Sequence, residues 1–239
     1  MILTRNIRNY LLLNIGIAGL TAIMWIIESV YFQSLNHIHG KKGHLEFGLG
    51  EMLLLSFRHG NFDHYFSNIV AFSIFTLALP KTVTCAQVTV FAWVLGMLIP
   101  QLWRYHLHEV AVLDIITIGP KTSFGWLLPG LYYDWYMPAF IASIGISGGV
   151  SAVQGVATVA SCYKIWKAMH KISKKASTVG LIEVFTELWS IYLYMLFLTF
   201  LTLYLDITGY MYPTTNIDHR AHLIGLAIGH AMGLVYYSI

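Results

Sequence analysis

Six stretches of the chain are dominated by apolar side chains, and polar or charged segments part most of them. They lie at about 10–31, 61–79, 83–100, 139–163, 184–205 and 220–238. Each is close to the roughly 20 residues that a helix needs to cross a bilayer. The first follows Arg5 and Arg8, but it is too long for a cleaved leader and lacks an Ala-x-Ala-like exit, so it reads as a retained helix. Pro80 with Lys81 closes the second stretch, and Pro100 closes the third. Residues 101–138 are less apolar and carry Trp126, Tyr132, Tyr133, Trp135 and Tyr136. Aromatics at that density suit the headgroup layer, which predicts a long interfacial loop or short re-entrant helix on the outer side.

Composition agrees with the pattern. Charged residues are 10% of the 239 and hydrophobic ones 57%, against about 25% charged in soluble domains. So little polar surface excludes a water-soluble globule of this size, and equally a disordered chain or a disulfide-stapled secreted domain. The expectation is an all-α fold: one polytopic membrane domain over 1–239, a six-transmembrane-helix bundle. The net charge of +3, with scattered lysines, argues against nucleic acid.

Lysine and arginine orient the bundle. With the N-terminus inside, Arg5, Arg8, Lys81, Lys164, Lys167, Lys171, Lys174 and Lys175 fall on the inner side. Lys41, Lys42, Arg58, Arg104, Lys121 and Arg220 are diluted over longer outer loops. The bias predicts an integral, multi-pass protein with cytoplasmic N- and C-termini, and a plasma membrane is the simplest setting.

Ionisable and polar groups within spans are costly and therefore candidates for function. HGNFDHYFSN opens the second span with His59, His64 and Asn68. GISGG brings Gly145 and Ser147 into the fourth, and DHRAHLIG brings His222 into the sixth. All three spans enter from the outer face. His64 and Asn68, four apart, share one helix face. A helix from 139 puts Ser147 two turns in, about 12 Å down. His222, Gly225, Gly229 and Gly233 form one stripe, and Gly148, Ser151, Ala152 and Gly155 form another. Small-residue faces let helices approach closely, so the fourth and sixth spans are expected to pack with Ser147 facing His222. A hydroxyl, an imidazole and two side-chain N–H donors below one surface suit nucleophilic acyl transfer.

His-x4-His-x3-Asn, GISG and AHLIG, in this order on alternate spans, resemble the rhomboid family of intramembrane serine proteases. The likeness runs from about Arg58 to the end, with the first span similar only in kind. It implies a Ser147–His222 catalytic dyad with no acidic third member. It also implies an oxyanion site from His64, Asn68 and the Ser147 amide, with His59 and Gly145 in support. Transmembrane segments of other proteins in the bilayer are the implied substrates, cleaved without cofactor or metal, and the oligomeric state stays open. Three features depart from the family pattern. Ser151 stands where a tyrosine is common, Gly50 and Glu51 stand where a Trp-Arg pair is common, and the 101–138 connection is long.

Each residue also has a structural reading. Ser147 can bond back to the carbonyl of Ser143, and His64, Asn68 and His222 can join helices. His37, His39 and His44 read as a solvated loop, since no cysteine or carboxylate framework accompanies them. His230 reads as a packing residue. Two other functions remain open: a catalytically silent relative that holds client helices, and a small transporter. Against the transporter, no inverted repeat and no intramembrane acidic relay stand out.

Overall fold

The computed structural model describes residues 2–39, 49–57, 59, 62–106, 113–116, 135–138, 146–174, 191–211 and 219–238. Among them the fold is helical apart from one pair of short strands. Helix α1 (Ile2–His39) is followed by a short α2 (Leu49–Leu54) that ends in a 3-10 turn, Leu55–Phe57. Then come α3 (Phe62–Leu77), α4 (Val83–His106), α5 (Ser147–Lys174), α6 (Ile191–Met211) and α7 (His219–Ser238). Three helices are long and apolar enough to cross a membrane: Arg8–Glu28 in α1, Val83–Trp103 in α4 and Ile191–Gly209 in α6.

Helix α1 shows why such a helix needs lipid. Tyr10, Ile17, Thr21 and Glu28 are buried, spaced by seven, four and seven, so they form one narrow stripe. Around it Leu11, Leu12, Ile15, Leu20, Ile23 and Ile26 are bare. Polar groups tie that stripe to its neighbours. Asn14 Nδ2 donates to Thr76 Oγ1 at 3.1 Å, and the Tyr65 hydroxyl donates to the Ala18 carbonyl at 2.6 Å. Helix α6 is held similarly: Gln154 Nε2 donates to Thr202 Oγ1 at 2.7 Å, and Thr158 and Thr199 share a hydrogen bond of 2.7 Å. Where apolar faces gain nothing by leaving lipid, such bonds and close packing hold helices together.

Helix α5 is the centre. It packs against α3, α4 and α6, and most extensively against α7. From Ile146 to Ser161 every residue except Ser151 is buried. The two small-residue stripes meet as expected. A Cβ at Gly225 would run into the Gly148 carbonyl, and one at Gly229 into the Ala152 carbonyl. The backbones are in contact along this seam, and only glycine leaves room for it.

Three boundaries differ from the sequence reading. Ile146 sits in a turn and α5 begins at Ser147, so no helix carries the serine two turns down from 139; residues 139–145 lie outside the described set. Pro100 does not close α4, which runs on to His106. Its missing N–H leaves the Gly96 carbonyl without a helical partner. That oxygen is covered by Gly148, where a Cβ would lie 2.5 Å from it. A neighbouring helix can thus absorb the proline. Finally, the 101–138 connection holds an antiparallel ladder of β1 (Leu113–Ile116) and β2 (Trp135–Pro138), with Ile115 opposite Tyr136. Ile115, Ile116, Trp135 and Tyr136 favour strands, and β2 touches α1.

Candidate active site

Helix onset gives Ser147 its surroundings. The first intrahelical bond runs from the Val150 amide to the Ile146 carbonyl, at 2.9 Å. The amides of Ser147, Gly148 and Gly149 therefore precede the helical ladder, at the end where the helix dipole is positive. Ser147 is 5% exposed, and its Oγ has no hydrogen-bond partner among the described residues. The buried hydroxyls of Ser56 and Tyr237 share that state, whereas five others on the helices do not. Thr21, Thr89, Thr158, Ser161 and Thr199 each bond back to the carbonyl four residues earlier. Ser143 lies outside the described residues.

His222 stands in the first turn of α7, beside the serine. Gly148 and Ala221, the neighbours of Ser147 and His222, meet backbone to backbone: a Cβ on Gly148 would lie 3.2 Å from the Ala221 carbonyl oxygen. His222 Nδ1 lies 2.9 Å from Asp206 Oδ1, on α6. Facing an ionised carboxylate, which only accepts, a neutral His222 would carry its proton on Nδ1 and leave Nε2 bare. Nε2 is buried and, like Ser147 Oγ, has no hydrogen-bond partner among the described residues. No hydrogen bond joins the two. Asp206 serves a second ring as well, since His219 Nδ1 lies 2.9 Å from the same oxygen.

Helix α3 also packs on α5. Asn68 is buried, and its Nδ2 has no partner among the described residues. His64 lies within electrostatic reach of His222 and packs edge-on against His59, ring centroids 5.5 Å apart. His59 itself is fully buried; its Nδ1 donates to the Phe57 carbonyl at 2.9 Å, and its ring meets Trp25 and Tyr65. It ties the 3-10 turn to α1 and α3. Burial, aided by repulsion from His64, pushes its pKa down to about 3, so it is neutral at ordinary pH.

The structure thus joins the helices of Ser147 and His222 at the adjoining residues, brings His64 within electrostatic reach of His222 with His59 against it, and packs α3, which carries Asn68, on α5. Gly145 and His44 lie outside the described residues, as do the side chains of His37 and His39. His230 bonds its own helix through the Leu226 carbonyl, at 2.8 Å, which suits packing. Ser151 is half-buried. The sequence reading passed over Asp206. The available signal was a lone carboxylate ending the apolar run FLTLYLD. Asp206, His219 and His222 also form a group able to hold a metal ion, their ligand atoms within 4.8 Å of one another. The chain matches no known family model, no curated protein and no solved structure.

Proposed function

We propose that this chain is a rhomboid-type intramembrane serine protease that cleaves transmembrane segments of other proteins. The observation that carries the reading is the pair of buried atoms Ser147 Oγ and His222 Nε2, without partners among the described residues and on helices in backbone contact at the adjoining residues. Ser161 and His230 bond within their own helices, whereas Ser147 Oγ and His222 Nε2, like Ser56 Oγ, Tyr237 OH and His59 Nε2, have no hydrogen-bond partner among the described residues.

In the proposed reaction His222 Nε2 accepts the Ser147 proton as the hydroxyl attacks a scissile carbonyl. The resulting oxyanion is held by the Ser147 amide at the positive end of α5, by Asn68 Nδ2 and by His64. His222 returns the proton to the leaving amine, and water hydrolyses the acyl-enzyme. Asp206 does not touch the substrate. It keeps the His222 proton on Nδ1, so that the nitrogen left as base is Nε2. The accompanying topology has six spans, both termini cytoplasmic and the site open to water near the outer face.

Labelling of the detergent-solubilised chain by a fluorophosphonate serine probe tests the reading. Wild type is expected to label, and Ser147→Ala and His222→Ala to stay blank while folded. Equal labelling of all three would remove the dyad. The missing Ser147–His222 hydrogen bond favours a second reading, a catalytically silent holder of client helices. An unlabelled wild type that still retains a transmembrane peptide would support it.

A further inference from the structure

Orienting one imidazole needs one carboxylate oxygen and one ring, yet Asp206 holds two. His219 and His222 are three residues apart on α7 and so share a face. Both turn Nδ1 onto Asp206 Oδ1, each at 2.9 Å. All three residues are shielded, Asp206 at 8% and His219 at 9% exposure. The second ring has a seat made for it: a Cβ on Gly209, one turn beyond Asp206 on α6, would collide with the His219 imidazole. The protease reading uses neither His219 nor that seat.

We infer that Asp206, His219 and His222 form a site for a divalent transition metal, Zn²⁺ by donor type, and that filling it switches off His222 as a base. Two imidazole nitrogens and one carboxylate oxygen are the ligands of many three-residue zinc sites, with water in the fourth place. Tetrahedral bonds of about 2.0–2.1 Å set neighbouring ligands roughly 3.3 Å apart. The two 2.9 Å contacts to Asp206 open by about 0.4 Å, and the two ring ligands, within 4.8 Å of each other, close by about 1.5 Å at most. Asp206 is five residues from the end of α6 and His219 begins α7, so the site lies at one end of the bundle.

The switch follows from proton placement. A neutral imidazole that gives its Nδ1 lone pair to a metal carries its one proton on Nε2. On binding, the His222 proton moves from Nδ1 to Nε2, with none gained or lost. Nε2 can then no longer accept the Ser147 proton. Metal binding stands independently of catalysis, whereas the switch rests on the protease reading.

Equilibrium dialysis of the full chain in detergent against Zn²⁺ tests the site, and fluorophosphonate labelling with and without Zn²⁺ tests the switch. Wild type and Ser147→Ala are expected to bind one zinc that His219→Gln and Asp206→Asn bind roughly tenfold more weakly or worse. Zinc should suppress labelling of wild type, while His219→Gln, which keeps Ser147, His222 and Asp206, should label regardless of zinc. A wild type that takes up no zinc, or a His219→Gln chain that binds as tightly, overturns the site. Zinc bound without loss of labelling overturns the switch alone. Zinc bound by a wild type that never labels leaves the site standing and removes the protease reading instead.

Discussion

Helices α1 and α6 and the pair α5–α7 follow opposite rules. In α1 and α6 the apolar windows are long, but only 17% of each is buried within the protein. Along α5, Ile146 to Ser161 is buried almost without a break, and α7 lies on it through glycines. Neither α5 nor α7 is among the helices apolar enough to qualify as a span, and α3 has 16 residues. Two of the three helices that look most like membrane spans, α1 and α6, therefore form the shell, while the third, α4, packs against α5 and α7. The helices that carry Ser147, His222, His64 and Asn68 look least like spans. A side chain facing lipid must be apolar, whereas one facing another helix can be small or polar when packing and hydrogen bonds compensate. Asp206 joins the regions: it belongs to a shell helix and faces the inner pair.

The sharpest way to strain that comparison is to change the shell residue that serves the site. Asp206→Asn should lower the labelling rate by about 10⁴, the scale of losing the correct imidazole tautomer, with little change in melting. A fall in melting that tracks the loss of labelling would make Asp206 a structural residue. Next comes the seam. Gly225→Leu should destabilise by about 3 kcal/mol or more, because the clash is with backbone that cannot move aside. Phe200→Ala, on the bare face of α6, should change stability by less than about 0.5 kcal/mol in detergent. Similar losses in denaturant titrations of the two would erase the distinction between seam and shell.

Asn68→Ala should slow labelling about 10²–10³-fold while leaving the melting temperature near wild type, since it removes one oxyanion donor. The last prediction concerns pH and His59. Its folded pKa, lowered by burial to about 3, lies below the unfolded value of 6.5. The unfolded chain then binds the extra proton, so stability is present above pH 6.5 and falls as pH drops from there toward 3. The slope is at most about 1.4 kcal/mol per pH unit. Unfolding free energies of His59→Gln measured between pH 7 and 4 should fall less steeply than those of wild type; parallel curves would place the acid sensitivity elsewhere.

Much of the bundle was legible in the chain because its signals are local. Runs such as YLLLNIGIAGL in α1 and LFLTFLTLYL in α6 declare their solvent by apolarity alone. The stripe of Gly225, Gly229 and Gly233 declares a partner at helical spacing, and the partner proved to be the Gly148 and Ala152 face of α5. Where the reading slipped, a local signal was outweighed by a neighbour. Pro100 ends many helices, but here Gly148 covers the carbonyl that it frees. The strands at 113–116 and 135–138 are four residues each, too short to show a period, and exist through one another.

The sequence by itself determined that the chain is helical and suited to a bilayer, which small faces meet, and which serine, histidines and asparagine are candidates for chemistry. Only the tertiary structure decided that α5 starts at Ser147, that Asp206 holds the proton of His222 on Nδ1, and that His219 shares that carboxylate. Apolarity and helical period are written residue by residue along one element. A hydrogen bond between Asp206 and a ring 16 residues away, on another helix, has no period to betray it. It exists because α6 and α7 dock on α5 and on each other, and docking belongs to the packed bundle as a whole.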